Sequence, residues 1–354
     1  MGTAPPGGGL YDALAGLPLT IEDYALERRA LAVSSGFTRV TTVVVLQGGG
    51  GLRGEGEDVA YDPADQEGHP SDLDLRGGGT FDDFSRRLDR LDLFPAASPR
   101  RPSARDYRRW AFESAALDLA LRQAGQSLGD ALSLPYRPVR FVVSTRQEIE
   151  PWLVIDPAIE FKLDPTPDWT PEVIGRLAAT GSVRILDLKG YHAGTEVEAP
   201  PDPALYRACA EAFPDAILED PAWDPESERA LAGHEERIAW DVRIHSAADL
   251  NELPFEPRFL NVKPSRFGTV RRLLECFEAC RARAIACYGG GQFELGPGRG
   301  QIQALASLLY PDGPNDVAPG GYNYPEPRAG LRRSPLAPAD DLTGFSFSAA
   351  PSSG

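Results

Sequence analysis

Lysine is rare in this chain, and its positions point to chemistry. Of the 36 basic residues, 33 are arginine and only three are lysine: Lys162, Lys189 and Lys263. Arginine stays protonated at neutral pH, whereas lysine acts as a base once its pKa is lowered. Each lysine lies in or directly after a short β-like run, in the sequences IEFKLD, VRILDLKG and FLNVKPS. We therefore expect at least two of the three lysines to line one site.

Carboxylates at the ends of neighbouring β-like runs predict a metal site between these lysines. Asp187, Glu219 and Asp241 end three successive runs, and unpaired carboxylates so close together would repel one another. A hard divalent cation removes that repulsion, and oxygen ligands favour magnesium or manganese. A metal that binds a substrate carboxylate stabilises the enediolate that forms when the α-proton leaves. A lysine beside that metal is expected to have a lowered pKa and to move the proton.

The elements that must position these side chains repeat from about residue 138. Seven β-like runs alternate with helical segments, a pattern that indicates parallel strands and a closed (β/α)8 barrel. In such a barrel the active site lies at the C-terminal ends of the strands. The runs are RFVVST, IEFKLD, VRILDL, AILEDP, RIAWDV, FLNVKP and AIACYGG.

The residues before the barrel predict a smaller α+β domain. Residues 20–60 are typical of an antiparallel meander, and residues 80–94 and 105–125 have the apolar spacing of helices. We therefore predict an α/β fold with a TIM-type barrel and an N-terminal capping domain. The predicted divisions are 1–136 for the capping domain, 137–310 for the barrel and 311–354 for a segment that wraps back and ends in disorder.

Composition excludes several classes of partner. The formal net charge is −16, so the surface should repel nucleic-acid phosphates and anionic lipid, and we expect neither as a partner. No apolar run reaches the roughly 20 residues that a membrane span needs, and residues 1–9 lack the basic and apolar parts of a signal peptide. The four cysteines form no CxxC pair and are expected to be reduced thiols. The cytoplasm is the expected location.

These motifs together resemble the enolase superfamily, and most closely its muconate lactonizing enzyme subgroup. That subgroup includes o-succinylbenzoate synthases, dipeptide epimerases and N-acylamino acid racemases. The resemblance extends over nearly the whole chain, including the capping segments TRVTTVVV and GEGEDV. The motifs of strands 2 to 6 correspond to Glu160-Phe161-Lys162 (Lys-x-Lys in the family), Asp187-Leu188-Lys189 (Asp-x-Asn), Glu219-Asp220-Pro221 (Glu-x-Pro), Asp241-Val242 (Asp-Glu) and the single lysine Lys263.

The resemblance implies a magnesium-dependent lyase or isomerase that acts on a small carboxylate, and it implies a homo-oligomer. Asp187, Glu219 and Asp241 would bind the metal, Lys162 would be the first-choice base and Lys263 the opposed acid, base or cation. No other cofactor is expected. On the substrate side the predicted contacts are Lys189, Glu294, Arg39 and Phe37, the last two in a loop at 34–39 that would close over the site. His192 and His245 are weaker candidates.

Several alternatives stay open at the level of sequence. Dehydration or cycloisomerisation, as in o-succinylbenzoate synthase or muconate cycloisomerase, needs one proton-carrying lysine, whereas an N-acylamino acid racemase or dipeptide epimerase needs two. Lys189, at the usual Asn position, would pair with a metal ligand, hold an anionic group of the substrate or weaken metal binding. A metal-dependent aldolase or hydrolase, or a non-catalytic barrel that binds an anion or a partner protein, is also compatible with the sequence.

Overall fold

The chain folds into an N-terminal α+β domain followed by a parallel β/α barrel. The computed structural model describes residues 8–34, 36–191 and 200–347. The predicted fold class is confirmed by this arrangement of two antiparallel sheets and one seven-stranded parallel sheet. No helix within those described ranges is long and apolar enough to cross a membrane.

The N-terminal domain contains the predicted antiparallel meander. Its strands are β1 (Pro18–Ile21), β2 (Asp23–Ala32), β3 (Thr38–Gln47), β4 (Arg53–Asp58) and β5 (Gly77–Thr80). Its helices are α1 (Asp12–Ala15), α2 (Pro63–Glu67), α3 (Phe81–Leu88), α4 (Ser103–Gln123) and α5 (Leu128–Leu132). Strands β2, β3 and β4 pair in antiparallel order, and β3 is rich in the Val and Thr residues that suit a pleated sheet. Strand β1 pairs separately with β5.

Helix α4 lies directly on β4 because two glycines leave no side chain between them. A Cβ atom at Gly54 would be 2.3 Å from the carbonyl oxygen of Ala115, and one at Gly56 would be 2.1 Å from that of Ala111. Any larger residue at either position would push the helix off the sheet. This close approach fixes the capping domain beside the helix that leads into the barrel.

The barrel contains one seven-stranded parallel sheet, and its strands coincide with the seven predicted runs. They are β6 (Val143–Thr145), β7 (Phe161–Leu163), β8 (Val183–Asp187), β9 (Ile217–Glu219), β10 (Ile238–Trp240), β11 (Phe259–Val262) and β12 (Ala286–Gly289), each paired with the next. The helices between and after them are α6 (Glu150–Ile155), α7 (Pro171–Ala179), α8 (Pro203–Ala212), α9 (Pro225–Ala230), α10 (Val270–Ala282) and α11 (Pro297–Leu309). The C-terminal ends of all seven strands therefore meet at one mouth.

A short piece of the C-terminal segment joins the first and last strands of this sheet. The backbone N–H of Val142 donates to Asn315, and the N–H of Asp316 donates to Gly289, at 2.9 and 2.8 Å. Further on, the N–H of Phe345 donates to Asp118 of α4 at 2.7 Å, so the segment does return to the capping domain. The boundaries at 136 and 310 stay predictions, and the predicted disordered end falls on residues 348–354, outside the described residues.

Candidate active site

The three predicted metal ligands lie side by side at the mouth of the barrel. Asp187 and Glu219 are the last residues of β8 and β9 and are direct register partners, and Asp241 directly follows β10. All three are buried, with at most 1% of their surface exposed. Residues two positions earlier on each strand point into the barrel and fill it below the carboxylates; these are Ile185, Ile217 and Ala239. The chain therefore places three acids on top of an apolar plug.

Lys162 of β7 lies beneath these carboxylates rather than above them. Its Nζ atom donates to Glu219 Oε1 at 2.5 Å and lies 3.1 Å from Asp187 Oδ2 and 3.7 Å from Asp316 Oδ2. Only 2% of the side chain is exposed. Burial by itself would lower the pKa of Lys162, but the carboxylates of Asp187 and Glu219 outweigh it and raise that pKa well above its ordinary value. In this arrangement Lys162 is a counterion.

Glu219 is the most completely held of the three acids. Besides Lys162, the Asn261 side-chain amide donates to Oε1 at 3.0 Å, and the Tyr288 hydroxyl donates to Oε2 at 2.6 Å. Burial raises the pKa of Glu219 to about 8, the nearby carboxylates of Asp187 and Asp241 add to this rise, and Lys162 opposes it. The repulsion between neighbouring acids that the sequence predicted is therefore present in the structure.

Asp241 faces two cations from the loop after β11. Lys263 Nζ lies 2.8 Å from Asp241 Oδ2, and Arg266 donates to Oδ1. Burial alone would raise the pKa of Asp241, but Arg266 and Lys263 hold this pKa well below its usual range. The backbone of this strand end is fixed by Asp220, whose carboxylate accepts the N–H groups of Asp241 and Val242, both at 2.8 Å. Lys263 is thus placed across the carboxylates from β7.

Lys189 lies on the opposite wall and also contacts a predicted ligand. Its backbone has φ of 55°, in the left-handed region, and its Nζ atom lies 2.5 Å from Asp187 Oδ2 and 3.5 Å from Asp164 Oδ1. Arg146 donates to the other oxygen of Asp164 at 2.7 Å. Burial alone would lower the pKa of Lys189, but Asp164 and Asp187 together raise it above its ordinary value. Lys189 is therefore a cation between two carboxylates.

Asp164 is a further residue of the site, next to strand β7. Glu160 is paired with Arg140 and Arg184, each at 2.6 Å, and has no described contact with the three acids. Lys162 and Asp164, two positions apart, do reach the site. The two-residue spacing of a strand is the signal that could have identified Asp164. The correspondence of Glu160-Phe161-Lys162 with the family's Lys-x-Lys motif stays a prediction.

The substrate-side residues other than Lys189 are brought together, but their polar groups are bound within the protein. Arg39 is 1% exposed and donates to the backbone carbonyls of Val59, Ala60, Gln292 and Phe293. Glu294 accepts the N–H of Gln292 at 2.7 Å and pairs with Arg299 at 3.0 Å. The Phe37 ring packs edge-on against Phe293 at 5.8 Å between centroids. These contacts give Arg39 and Glu294 a structural role in joining the capping domain to the β12 loop.

The two histidine candidates add little to the site. His245 is half-exposed, and its ring nitrogens lie 3.1 and 3.0 Å from the carbonyl oxygens of Arg266 and Val242. His192 lies outside the described residues. The sequence analysis did not identify Asn261, Tyr288 or Arg266 as site residues. Asn261 lies two residues before Lys263 and Arg266 lies three residues after it, and this spacing could have identified both.

The donor set fits a hard divalent cation by its chemistry. Across the described ranges no three Asp, Glu, His or Cys side chains are already arranged around a metal position. The three carboxylates supply oxygen ligands of the kind magnesium prefers. Their oxygens face Lys162, Lys189, Lys263 and Arg266 instead. A metal ion would thus enter by displacing ammonium groups, above all from Asp187.

Comparisons with known proteins identify a family and a fold. Models for the N-terminal and C-terminal parts of a domain of unknown function, DUF8230, match residues 12–131 and 135–324. No curated protein matches the sequence.

Solved structures similar to this chain share its architecture at low identity. A member of the enolase superfamily from Listeria innocua is 19% identical with a TM-score of 0.62, over 87% of this chain and 88% of that one. Muconate lactonizing enzyme from Pseudomonas putida is 18% identical with a TM-score of 0.60, over 84% and 88%. Dipeptide epimerase from Methylococcus capsulatus, solved with Mg and L-Arg-D-Lys, is 17% identical with a TM-score of 0.63, over 86% and 92%. These likenesses confirm the fold that the resemblance implied.

Proposed function

We propose that this chain, which belongs to the DUF8230 family and has the fold of the enolase superfamily, is a divalent-metal-dependent lyase or isomerase that removes a proton α to a substrate carboxylate. The observation that carries the proposal is the row of three buried acids at the ends of β8, β9 and β10, flanked by lysines on both sides. Stability alone does not explain three adjacent buried carboxylates above an apolar plug, because a buried cluster of ion pairs is often no more stable than apolar side chains that fill the same volume.

The metal ligands in this proposal are Asp187, Glu219 and Asp241, and magnesium is the first choice, with manganese as the alternative. When bound, the ion would supply Lewis-acid stabilisation of negative charge on the substrate carboxylate. Lys162 keeps the carboxylates of Asp187 and Glu219 in place from below, and Asn261 and Tyr288 fix the orientation of Glu219. These groups reduce the reorganisation needed when substrate enters.

Lys263 is the better candidate for moving the proton. Among the described residues Lys263 forms an ion pair with Asp241 alone, whereas Lys162 faces Asp187, Glu219 and Asp316. The stem of Lys263 lies over Gly290 at the mouth of the barrel. For this step Lys263 must first leave Asp241 and give its own proton to solvent, so that Nζ is a neutral amine. The C–H bond of the substrate then breaks, its electron pair is delocalised into the carboxylate, and the proton passes to Lys263 Nζ. Lys162 would act as a fixed cation instead of the first-choice base.

A single proton carrier on one face favours dehydration or cycloisomerisation over racemisation. The first reaction types need one group to take the proton, as in an o-succinylbenzoate synthase or a muconate cycloisomerase. An N-acylamino acid racemase or dipeptide epimerase would need Lys162 to leave Asp187 and Glu219 and reach the other face of the substrate. We therefore place the one-lysine outcome first and the two-lysine outcome second. The small carboxylate substrate and the homo-oligomer remain part of the proposal.

Exchange of the α-proton tests this function. The purified protein with magnesium is incubated in deuterium oxide with dipeptides, N-acyl amino acids, acid sugars, muconate-type lactones and the o-succinylbenzoate precursor, and deuterium uptake is measured by mass spectrometry. Uptake that disappears in Lys263→Met and in Asp187→Asn supports the proposal, and Arg184→Gln, remote from the acids, is the control. A protein that takes up no divalent ion and exchanges no proton would instead support the anion- or partner-binding alternative.

A further inference from the structure

Lys189 occupies a place that a metal ion would need. Its ammonium group lies 2.5 Å from Asp187 Oδ2, and its own backbone N–H lies 3.3 Å from Asp187 Oδ1. Asp187 also faces Lys162 at 3.1 Å. A divalent ion bound to Asp187 at the usual distance of about 2.0–2.1 Å could not share the same oxygen with an ammonium in direct contact, since the two cations would repel strongly. Metal binding at Asp187 must therefore move Lys189.

The ammonium group of Lys189 can move from Asp187 toward Asp164, which lies 3.5 Å away. Lys189 is 12% exposed, as is Asp164, so both border the open mouth, whereas Lys162 is enclosed. Asp164 is already paired with Arg146, which is 31% exposed. Once Lys189 leaves Asp187, it shares the single carboxylate of Asp164 with Arg146, and these three described side chains together carry one uncompensated positive charge. An unpaired charge at a partly buried rim attracts an anion.

We propose that Lys189 is an exchangeable counterion, which holds Asp187 until a divalent metal displaces it and then binds a second anionic group of the substrate. This inference rests on the proposed function and narrows it, because the substrate class becomes a carboxylate with another carboxylate or comparable anion on the side of β7 and β8. It also predicts a linkage: the metal and the dianion strengthen each other's binding, and each effect equals the other.

Calorimetry on the purified full chain tests both parts. Mn2+ and Mg2+ are titrated alone, then in the presence of succinate, and then in the presence of succinamate, in which one carboxylate is replaced by an uncharged amide. The test variant is Lys189→Asn, because asparagine tolerates the left-handed backbone of this position and keeps a polar side chain. Arg146→Gln is the matched control, since it removes one positive charge from the same wall without touching Asp187.

The two variants should separate the effect of direct contact with Asp187 from the effect of positive charge on this wall. Lys189→Asn binds the metal about tenfold more tightly in the absence of succinate, and succinate then strengthens metal binding no more than succinamate does. Arg146→Gln leaves metal affinity within about twofold and weakens only succinate. In the native protein succinamate should strengthen metal binding far less than succinate does.

Three outcomes overturn the inference. Metal affinity that is unchanged in Lys189→Asn means that Lys189 does not compete for Asp187. A larger effect of succinate than of succinamate that persists in Lys189→Asn, or equal effects of the two in the native protein, means that Lys189 does not bind the second anion. Absence of any succinate binding to metal-loaded protein also refutes that second part. A native protein that binds no metal refutes the proposed function itself, and is distinguished by the titration with metal alone.

Discussion

Replacing Lys162 by methionine should destabilise the metal-free protein strongly, and a divalent metal should reverse much of the loss. The ammonium is 2.5 Å from Glu219 and 3.1 Å from Asp187, both fully buried. Methionine keeps the apolar stem but leaves two buried acids without this counterion. Removing one partner from a buried ion pair lowers the free energy of unfolding by about 3–5 kcal/mol, and that is the loss we expect without metal.

The compensation follows from the site that the three acids form. A metal present at about 100 times its dissociation constant stabilises any folded protein that binds it by about 2.7 kcal/mol. Without Lys162 as a competitor for the same oxygens, the variant should bind the ion more tightly than the native protein does. The difference in unfolding free energy between Lys162→Met and native protein should therefore shrink by about 1–3 kcal/mol when the metal is added.

Urea denaturation with magnesium, and separately with a chelator, measures these differences. Lys263→Met is the control, because its partner Asp241 keeps Arg266 and the expected loss is only about 1–2 kcal/mol. Equal stability of the two variants in chelator would show that Lys162 is not the main counterion of the acids. A difference that magnesium leaves unchanged would show that these acids do not bind the ion.

Three further predictions concern residues around the site. Arg39→Lys should lower the free energy of unfolding, measured by urea denaturation, by about 3–5 kcal/mol, because one ammonium group cannot donate to all the carbonyls that the guanidinium contacts. A loss under about 1 kcal/mol would contradict this prediction. Gly290→Ala would place a Cβ atom 2.5 Å from Asn261 Oδ1 and 2.7 Å from Lys263 Cε, and we expect proton exchange to fall about 100-fold with a loss of stability of about 1–3 kcal/mol. Gly300→Ala, which has room, should keep full exchange. Glu57 accepts the N–H groups of Leu295, Gly296 and Gly298, and burial raises its pKa from the ordinary 4.5. The contribution of Glu57 to the free energy of unfolding is therefore complete below pH 4.5 and falls as the pH rises through the folded-state pKa. Glu57→Gln should remove this pH dependence from the stability–pH curve. An unchanged pH dependence would mean that another group causes it.

The architecture was predictable because its signals are local. Each of the seven barrel strands is a short apolar run bounded by helical sequence, and β3 is a continuous series of β-branched residues. The positions of the three acids followed from the same reasoning, since the last residues of parallel strands must meet at one end of the barrel. No knowledge of long-range contacts was needed for either prediction.

The partners of the side chains depend on distances along the chain that sequence patterns do not encode. The pairing of β7 with β8 shifts its register between Phe161 and Lys162, and no pattern in the sequence indicates such an irregularity. Arg39 donates to carbonyls more than 250 residues away, so these contacts could be learned only from the fold. Asp316, which approaches Lys162 and joins the last strand of the barrel sheet, lies in the C-terminal segment, whose composition indicates no strand.

The charge distribution connects the acidic surface with the chemistry at the barrel mouth. A chain with net charge −16 repels an anionic substrate unless cations are concentrated where the substrate binds. The fold does concentrate them, since all three lysines and Arg266 surround one row of acids. Each of these four cations is nevertheless paired with one of three acids, Asp187, Glu219 or Asp241, so most of the positive charge of the metal-free site is balanced. A divalent ion that takes over the acids would release that charge toward the mouth, which makes anion binding conditional on metal binding.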